Sequence, residues 1–419
     1  MPSLRARVIH RLIFVALAAS LASVARAGEG PMTVGSLQPL ATLAASDAEY
    51  GAVFGAEVAV SGNVVAVGAP QQSGGEYCAN GGGAVYVYEK PANGWQNMAQ
   101  TAELTSDASC MMVLAAFSGD TIVAMDLGCT GDGFFDTGAI FVFVKPEGGW
   151  TNMEPTATLS ISGVQGCNVH FALTAAINKE QNLIVAGVGP HNDLLVYQKP
   201  AGGWANTDQP SAIIKAPTGS SDEFGFHLAL DGSVLAVGDE ETSPGGAVYV
   251  FNLSKKGAQP LATLTPSNPQ IIPGMGFGVA IAGDTIIAGS PLANSDQGII
   301  YVFEKPVAGW STMTETAQLS VANIPSDFAI LGENLALNPA GNAVVSGYLS
   351  GGPPDSLGYV FLKPAGGWQT TSTPTYGLFA DGSGEPGNFD SAVAVSQTNI
   401  VLGAGGTNDE AGAAFVFAH

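Results

Sequence analysis

The chain has 419 residues, and its composition excludes several classes of protein at the outset. Only 11% of the residues are charged and 46% are hydrophobic, which is not the composition of a disordered acidic protein. The 13 Lys and Arg against 35 Asp and Glu give a net charge of −22, so nucleic acid and anionic membranes are not expected partners. The 56 glycines in so hydrophobic a chain favour many short strands joined by tight turns.

Residues 1–27 have the pattern of an export signal peptide. Arg5, Arg7 and Arg11 precede an apolar run at residues 12–24, and the sequence Ala25–Ala27 is a typical cleavage pattern. The apolar run is too short to cross a bilayer as a permanent anchor. The sequence therefore predicts a secreted or periplasmic protein with no membrane insertion.

Residues 28–37 are interpreted as a short N-terminal tail, and residues 38–419 contain an internal repeat. The phrase Lys-Pro-x-x-Gly-Trp recurs at intervals close to the 55 residues that separate the first two copies (150 − 95), and a degenerate copy at 252–257 fills one double interval. We favour a structural role for the repeated indoles, each covering a blade edge with its N–H bonded to a carbonyl, over a sugar-stacking platform. They are Trp95, Trp150, Trp204, Trp310 and Trp368.

Three further phrases repeat in phase with the tryptophans, seven times each. In the first copy, an apolar strand ends in glycine at 64–68 and an aromatic strand lies at 84–88; the third phrase, first seen at 41–43, is short. A strand introduced by Phe54-Gly55 precedes them, so each unit has four strands, here called A, B, C and D. Four antiparallel strands per unit and seven units predict an all-β, seven-bladed β-propeller.

The order of the phrases predicts how the ring closes. The chain begins its repeats on a D phrase at 40–45 and ends on a C phrase at 413–417. The last blade therefore lacks its own outer strand, and the first D strand has no blade of its own. Pairing of the two would close the ring and remove an exposed sheet edge.

Phe54-Gly55 followed by 67–70 (Val-Gly-Ala-Pro) resembles the FG-GAP repeat, whose members include the propeller head of integrin α chains. Phe224-Gly225 and Phe277-Gly278 introduce weaker copies, and the resemblance covers essentially all of residues 38–419. It implies a secreted or surface recognition module without identifying a ligand.

Many FG-GAP repeats hold calcium between strands A and B, and this sequence departs from that pattern. The connections at 61–63, 118–120, 231–233 and 282–284 are tight turns with at most one carboxylate each, too few for a six- to eight-oxygen shell. We therefore expect no metal site and no cofactor. The weak metal candidates lie in a later loop: Asp381, Glu385 and Asp390.

Charge is predicted to differ between the two ends of the propeller. Antiparallel strands place the A–B and C–D turns at one end and the acid-rich B–C and D–A loops at the other. Seven of the nine lysines after residue 27 are at C–D turns, and Lys179 is in an A–B turn at the same end. Two interpretations stay open: solubility with ordinary turn chemistry, or a ligand face for cations or a basic partner. The ligand-face candidates are Asp132, Asp136, Asp222, Glu223, Asp239, Glu240 and Glu241.

Four cysteines fit an exported protein. Strand parity places Cys78 and Cys129 in B–C loops, and Cys110 and Cys167 in the D–A loops that enter the following blades. We expect two equivalent inter-blade disulfides, Cys78–Cys110 and Cys129–Cys167. A metal site is the alternative, but no C-x-x-C spacing supports it.

No catalytic motif is visible, since the sequence has no G-x-S-x-G elbow and no H-E-x-x-H pair. His227 lies in a strand A and could approach the central channel, but a lone strand histidine is more often structural. The leading hypothesis is a monomeric, non-catalytic recognition or adhesion module that binds an extracellular protein or glycan. The alternatives are a glycan-binding lectin and, less favoured, a propeller hydrolase or lyase.

Overall fold

A computed structural model shows a seven-bladed β-propeller, which confirms the predicted fold. Each blade is a four-stranded antiparallel sheet whose strands follow the order A, B, C, D. The structure describes residues 34–47, 51–70, 82–107, 112–126, 139–160, 171–178, 182–188, 193–254, 259–269, 274–322, 331–347, 356–379, 392–406 and 411–419. The predicted signal peptide at 1–27 lies outside these residues.

The strands of the first three blades follow the repeat phrases. Blade 1 consists of β3 Val58–Ser61, β4 Val64–Ala69, β5 Ala84–Glu89 and β6 Ala102–Leu104. Blade 2 consists of β7 Met112–Ser118, β8 Thr121–Asp126, β9 Ala139–Val144 and β10 Ala157–Leu159. Blade 3 consists of β11 Phe171–Ile177, β12 Leu183–Val188, β13 Asp193–Gln198 and β14 Ala212–Ile214.

The remaining blades use three strands from outside their own four-strand repeat. Blade 4 consists of β15 Leu228–Asp231, β16 Val234–Asp239, β17 Ala247–Asn252 and β18 Ala262–Thr265, with β22 Met313–Thr314 added at its edge. Blade 5 consists of β19 Val279–Ala282, β20 Thr285–Ser290, a short turn α1 Ala293–Asp296, β21 Ile299–Glu304 and β23 Ala317–Leu319. Blade 6 consists of β24 Leu335–Leu337, β25 Ala343–Gly347, β26 Ser356–Leu362 and β27 Tyr376–Phe379, with β1 Gly35–Leu37 at its edge. Blade 7 consists of β28 Val393–Val395, β29 Asn399–Ala404, β30 Ala413–Ala418 and β2 Ala41–Leu43.

The hydrophobic core is divided among the blade interfaces. Strands B and C are buried on both faces, as in β4 and β5, because each blade packs against a neighbour on either side. The strand A residues of β3 are only partly buried, and β3 contacts the A strands of both neighbouring blades, β7 and β28. Strand A therefore forms the inner wall of the ring. Seven hydrophobic clusters, one for each pair of adjacent blades, hold the ring together.

The predicted closure of the ring is confirmed. Strand β2 pairs antiparallel with β30, with Ala41 opposite Val416 and Leu43 opposite Ala414. A second seam was not predicted: β1, in the stretch interpreted as a tail, pairs in parallel with β27. The N-terminal segment thus joins both blade 7 and blade 6, because β1 pairs with β27 and β2 pairs with β30.

The Phe-Gly pair at the entrance of blade 1 has a structural explanation. Gly55 has a φ of 97° and donates its N–H to the carbonyl of Gly68 at 2.8 Å. A Cβ at Gly55 would lie 2.3 Å from the carbonyl oxygen of Ala413 in blade 7, so a side chain does not fit there. Phe54 is buried and packs edge-on against Tyr86, with ring centroids 5.5 Å apart.

The structure corrects the alignment of this pair in blade 5. The bond between the entrance glycine and the glycine at the end of strand B recurs there between Gly276 and Gly289, at 2.9 Å, and Gly276 has a φ of 114°. The equivalent pair is therefore Met275-Gly276. The sequence predicted Phe277-Gly278 instead. This Phe-Gly dipeptide lies two residues after the position whose backbone geometry requires glycine.

Candidate functional site

The two kinds of connection lie at opposite ends of each blade. Lys90, which follows strand C of blade 1, donates its backbone N–H to the carbonyl of Asn63 in the A–B turn at 2.9 Å, and Lys145 bonds Asp120 in the same way. We call this end, formed by the A–B turns and C–D connections, the lysine face. The opposite end, formed by the B–C and D–A loops, is called the acidic face.

Several lysines of the lysine face are held in ion pairs. Lys145 Nζ lies 2.7 Å from Glu89 Oε1 of the preceding blade, and Lys363 Nζ lies 2.5 Å from Glu304 Oε1 in the equivalent position. These side chains are about one-third exposed or less, so solvent screens the pairs and each adds little to stability.

The A–B turns are as tight as the sequence predicts. Gly62, Gly119, Gly232 and Gly283 have φ values between 57° and 60°, the positive φ that a two-residue hairpin turn requires. Neighbouring turns also bond to each other, since the N–H of Gly119 donates to Ser61 Oγ at 2.8 Å. Within the described ranges no group of three potential metal-binding side chains occurs. The weak candidates Asp381, Glu385 and Asp390 lie outside those ranges.

A test of the calcium expectation follows from these turns. We expect excess chelator to change the melting temperature of the mature protein by less than about 1 °C, because an ion that does not bind the folded state cannot stabilise it. Differential scanning calorimetry with and without millimolar calcium provides the measurement. A large fall that calcium restores would reveal a site, and the segment at 380–391 would be the first place to mutate.

The acidic face is described most completely at blade 4. Ser221, in the loop before strand A, donates its backbone N–H to Asp239 Oδ2 at 3.0 Å and its hydroxyl to Asp239 Oδ1. The hydroxyl oxygen in turn accepts the N–H of Glu223 at 3.1 Å. Asp239 is fully buried at the end of β16, so it braces the loop from beneath.

His227 and an acidic neighbour lie beside this brace. Its Nε2 is 3.6 Å from Glu240 Oε2, and its ring lies against Phe277 of blade 5 with centroids 5.0 Å apart. Burial, and after it the nearby charge of Asp239, raises the pKa of the Tyr249 phenol above its usual value.

The structure separates the predicted ligand-face carboxylates into two groups. Asp239, Glu240 and Glu223 are 0%, 4% and 8% exposed, so they support the loops and do not present their oxygens to a large ligand. Asp222 is exposed and Glu241 is partly exposed on the same blade. Asp132 and Asp136 lie outside the described residues.

The repeated tryptophans lie between blades. Trp95, Trp150, Trp204 and Trp368 are 5–8% exposed, and each packs in the cluster that contains strand D of the preceding blade. Trp310 packs partly buried against the equivalent cluster between blades 4 and 5. At this degree of burial the indole faces contact protein side chains, which supports the structural role over sugar stacking.

The indole N–H groups differ in their partners. Trp95 Nε1 donates to the side-chain carbonyl of Asn399 at 3.1 Å, as expected. The expected carbonyl partner is missing at the other four positions: in the described part of the chain, Nε1 of Trp150, Trp204, Trp310 and Trp368 is buried without an acceptor. The expectation fails because these rings pack against apolar side chains.

The Asn or Thr residue that follows each tryptophan makes an inter-blade hydrogen bond that was not predicted from the sequence. Two positions after each tryptophan, an Asn or Thr side-chain oxygen accepts the N–H of the middle residue of strand D in the preceding blade, as Asn152 does from Glu103 at 2.9 Å. The same bond occurs five times, with acceptors Asn97, Asn152, Asn206, Thr312 and Thr370. The recurring Asn or Thr two residues after the tryptophan was the signal that could have revealed it.

The two disulfides stay a prediction, since all four cysteines lie outside the described residues. We expect non-reducing peptide mapping of the exported protein to find Cys78–Cys110 and Cys129–Cys167. Each bridge closes a loop of a few tens of residues and is worth roughly 3–4 kcal/mol by chain-entropy reasoning. Linkage of Cys110 to Cys129, or four free thiols, would contradict both the pairing and the loop assignment.

Together the entrance glycines, the inter-blade bonds and the ring closure define a closed seven-bladed β-propeller. The FG-GAP repeat family model matches residues 39–88, which contain the closing strand β2 and most of blade 1. The chain therefore contains an FG-GAP repeat at these residues, and its seven-bladed propeller resembles the head of integrin α chains. In the described part of the chain, no helix has the length and apolar character to cross a bilayer.

Solved structures share the fold at low sequence identity. The β-propeller domain of Cps50 (Swd1) from Myceliophteria thermophila has a TM-score of 0.51 and 10% identity, covering 87% of this chain and 96% of that one. A putative 6-phosphogluconolactonase from Bacteroides fragilis NCTC 9343 has a TM-score of 0.49 and 14% identity, covering 81% and 86% of the two chains. The first likeness supports the propeller fold and says nothing about activity. No curated protein matches the chain.

Proposed function

We propose that the protein is a monomeric, non-catalytic recognition or adhesion module, exported by the signal peptide at 1–27, that binds an extracellular protein through its acidic face. The observation that carries the proposal is the segregation of charge. Lysines follow strand C in successive blades, and Lys145, Lys305 and Lys363 are held in ion pairs. At the opposite end, Asp222 is exposed and Glu241 is partly exposed.

The chemistry of this face favours a partner with basic groups. A carboxylate surface steers a positively charged partner by long-range attraction and raises its association rate, and the effect falls as salt increases. Two hydrogen bonds from Ser221 to Asp239 hold the loop that carries the exposed residue Asp222. Binding energy is then not spent on ordering that loop.

Charge reversal on the two faces tests the proposal. We would measure binding of the mature protein to a library of extracellular proteins and to a glycan array. The hits would be ranked by how much their affinity falls at raised salt concentration. The double variant Asp222→Lys/Glu241→Lys is expected to weaken binding of the true partner at least tenfold. The matched control, Glu147→Lys/Asp208→Lys, makes the same charge change at exposed positions of the lysine face and should leave binding unchanged.

Other outcomes would replace the proposal. A hit on the glycan array alone would favour the lectin alternative, and turnover in a panel of glycoside and lactone substrates would favour an enzyme. Equal losses for the two double variants would show that net charge, and not the acidic face, determines binding.

A further inference from the structure

The outer edge of strand D is covered in most blades by a segment of the next blade. The covering segment runs parallel to strand D and follows the tryptophan of the C–D connection. The bridges are Leu43 with Met98, Leu104 with Met153, Leu159 with Thr207, Leu264 with Met313 and Leu319 with Thr371. Strand β1 covers β27 in the same parallel sense. These six segments protect six outer edges at the rim of the propeller.

In a covered edge, the backbone of strand D forms hydrogen bonds with both the backbone and one side chain of the covering segment. In blade 2, the N–H of Thr158 donates to Asn206 Oδ1 at 2.9 Å, the N–H of Thr207 donates to the carbonyl of Thr158 at 3.1 Å, and the N–H of Ser160 donates to the carbonyl of Thr207 at 2.9 Å. An extended segment with an Asn or Thr side chain at one position therefore satisfies strand D along its length.

Strand β14 of blade 3 is the exception. The C–D connection that would cover it, in blade 4, is four residues shorter: strand C to strand D spans 262 − 251 = 11 positions, against 212 − 197 = 15 in blade 3. The missing residues include the tryptophan and the Asn or Thr acceptor. Among the described residues, which do not include 255–258 of this connection, no segment pairs with the outer edge of β14.

The surface of β14 reflects this gap. Ala212 and Ile213 are exposed, Ile213 by 42%, whereas the alanines that begin strand D in the covered blades 1, 2, 4, 5 and 7 are buried. The N–H of Ile213, which is equivalent to the bonded N–H of Thr158, has no acceptor among the described residues. Leu253 packs into the cluster beneath Ile214, so the interior under the strand is filled although its edge is open.

We propose that the outer edge of β14 binds an extended strand of a partner protein, which runs parallel to β14 and carries an Asn or Thr side chain opposite the N–H of Ile213. The partner strand continues, at β14, the series of parallel segments that cover the other six strand D edges in the described residues. Its backbone accepts the N–H of Lys215 and donates to the carbonyl of Ile213, as Thr207 does with Ser160 and Thr158. This rim site is separate from the acidic face.

Amide hydrogen exchange tests both whether the outer edge of β14 is open in the free protein and whether it binds an extended strand. The probe is a synthetic peptide with the sequence of 199–209, one of the chain's own covering segments, added in excess to the mature protein labelled with ¹⁵N-isoleucine. We expect the Ile213 amide to exchange quickly in the free protein and to become saturably protected by the peptide. The matched control peptide carries Pro in place of Thr207, which removes the N–H that bonds strand D, and should protect at least tenfold less.

Protein variants separate this edge from other binding surfaces. Ile213→Thr introduces the residue found at this position in blades 2, 4 and 7, keeps the backbone N–H, and should retain peptide binding measured by fluorescence anisotropy. Ile213→Pro removes that N–H at an edge position where proline is tolerated, and should abolish binding without lowering the melting temperature by more than a few degrees.

Four results would overturn the proposal. Slow exchange of Ile213 in the free monomer would show that the chain covers its own edge. Protection that depends on protein concentration without peptide would identify a second copy as the occupant. Absence of protection at saturating peptide, or binding that survives Ile213→Pro, would show that this edge is not the site.

Discussion

Deletion of residues 35–45 is expected to abolish cooperative unfolding of the propeller and to cause aggregation. The deletion removes β1 and β2, which complete blades 6 and 7. It exposes the edges of both β27 and β30, and unpaired edges recruit strands from other molecules. Leu43 is fully buried in the cluster between blades 7 and 1, and the loss of its burial alone costs about 2 kcal/mol.

Calorimetry and size-exclusion chromatography measure this effect. The matched control removes residues 28–33 and leaves β1 and β2 in place, so it should melt like the full mature protein. A smaller truncation, of residues 28–38, separates the two seams, because it removes β1 and keeps β2. We expect it to lower the melting temperature while unfolding stays cooperative. A protein without 35–45 that melts like the control would disprove closure by the N-terminal segment.

Most of the fold could be predicted from the sequence because the same strand phrases recur in every blade. Strands B and C are buried on both faces and read as apolar runs, and the ring closure follows from the order of the phrases. Strand β1, Gly35–Leu37, was not predicted because it is only three residues long and does not belong to any of the repeated phrases. The misplaced pair Phe277-Gly278 shows that residue identity alone does not specify where a positive φ is needed.

The candidate site was harder to predict, because burial of a loop carboxylate depends on its neighbours. Asp222 and Glu223 are adjacent in sequence, yet one is exposed and the other is buried. Asp239 could have been recognised: it follows the glycine that ends strand B, and the equivalent Ala69 and Ser290 are buried as well. Aligning that position across blades predicts a buried group that braces a loop and does not contact ligand.

Substitution of Trp150 by Ala is expected to lower the free energy of unfolding by about 3–5 kcal/mol. The indole is 5% exposed and packs with Ala102 and Leu104 of the preceding blade and, edge-on, with Phe117 at 6.2 Å between ring centroids. Its removal leaves a cavity between blades 1 and 2 that the rigid sheets cannot close. Chemical denaturation monitored by circular dichroism measures the loss.

Phenylalanine variants separate packing from hydrogen bonding in the same residue type. Trp150→Phe keeps most of the apolar volume and removes a buried N–H that has no acceptor in the described residues, so it should cost less than Trp95→Phe. Trp95→Phe removes the indole donor 3.1 Å from Asn399 Oδ1, which keeps the Thr398 hydroxyl as its other donor, so the lost bond should add about 0.5–1.5 kcal/mol to the packing loss. Equal losses for the two variants would show that the Asn399 bond adds nothing.

A stable Trp150→Ala protein that has lost glycan binding would instead favour the sugar-stacking interpretation, because only a ligand-facing indole can be removed without opening a cavity between blades.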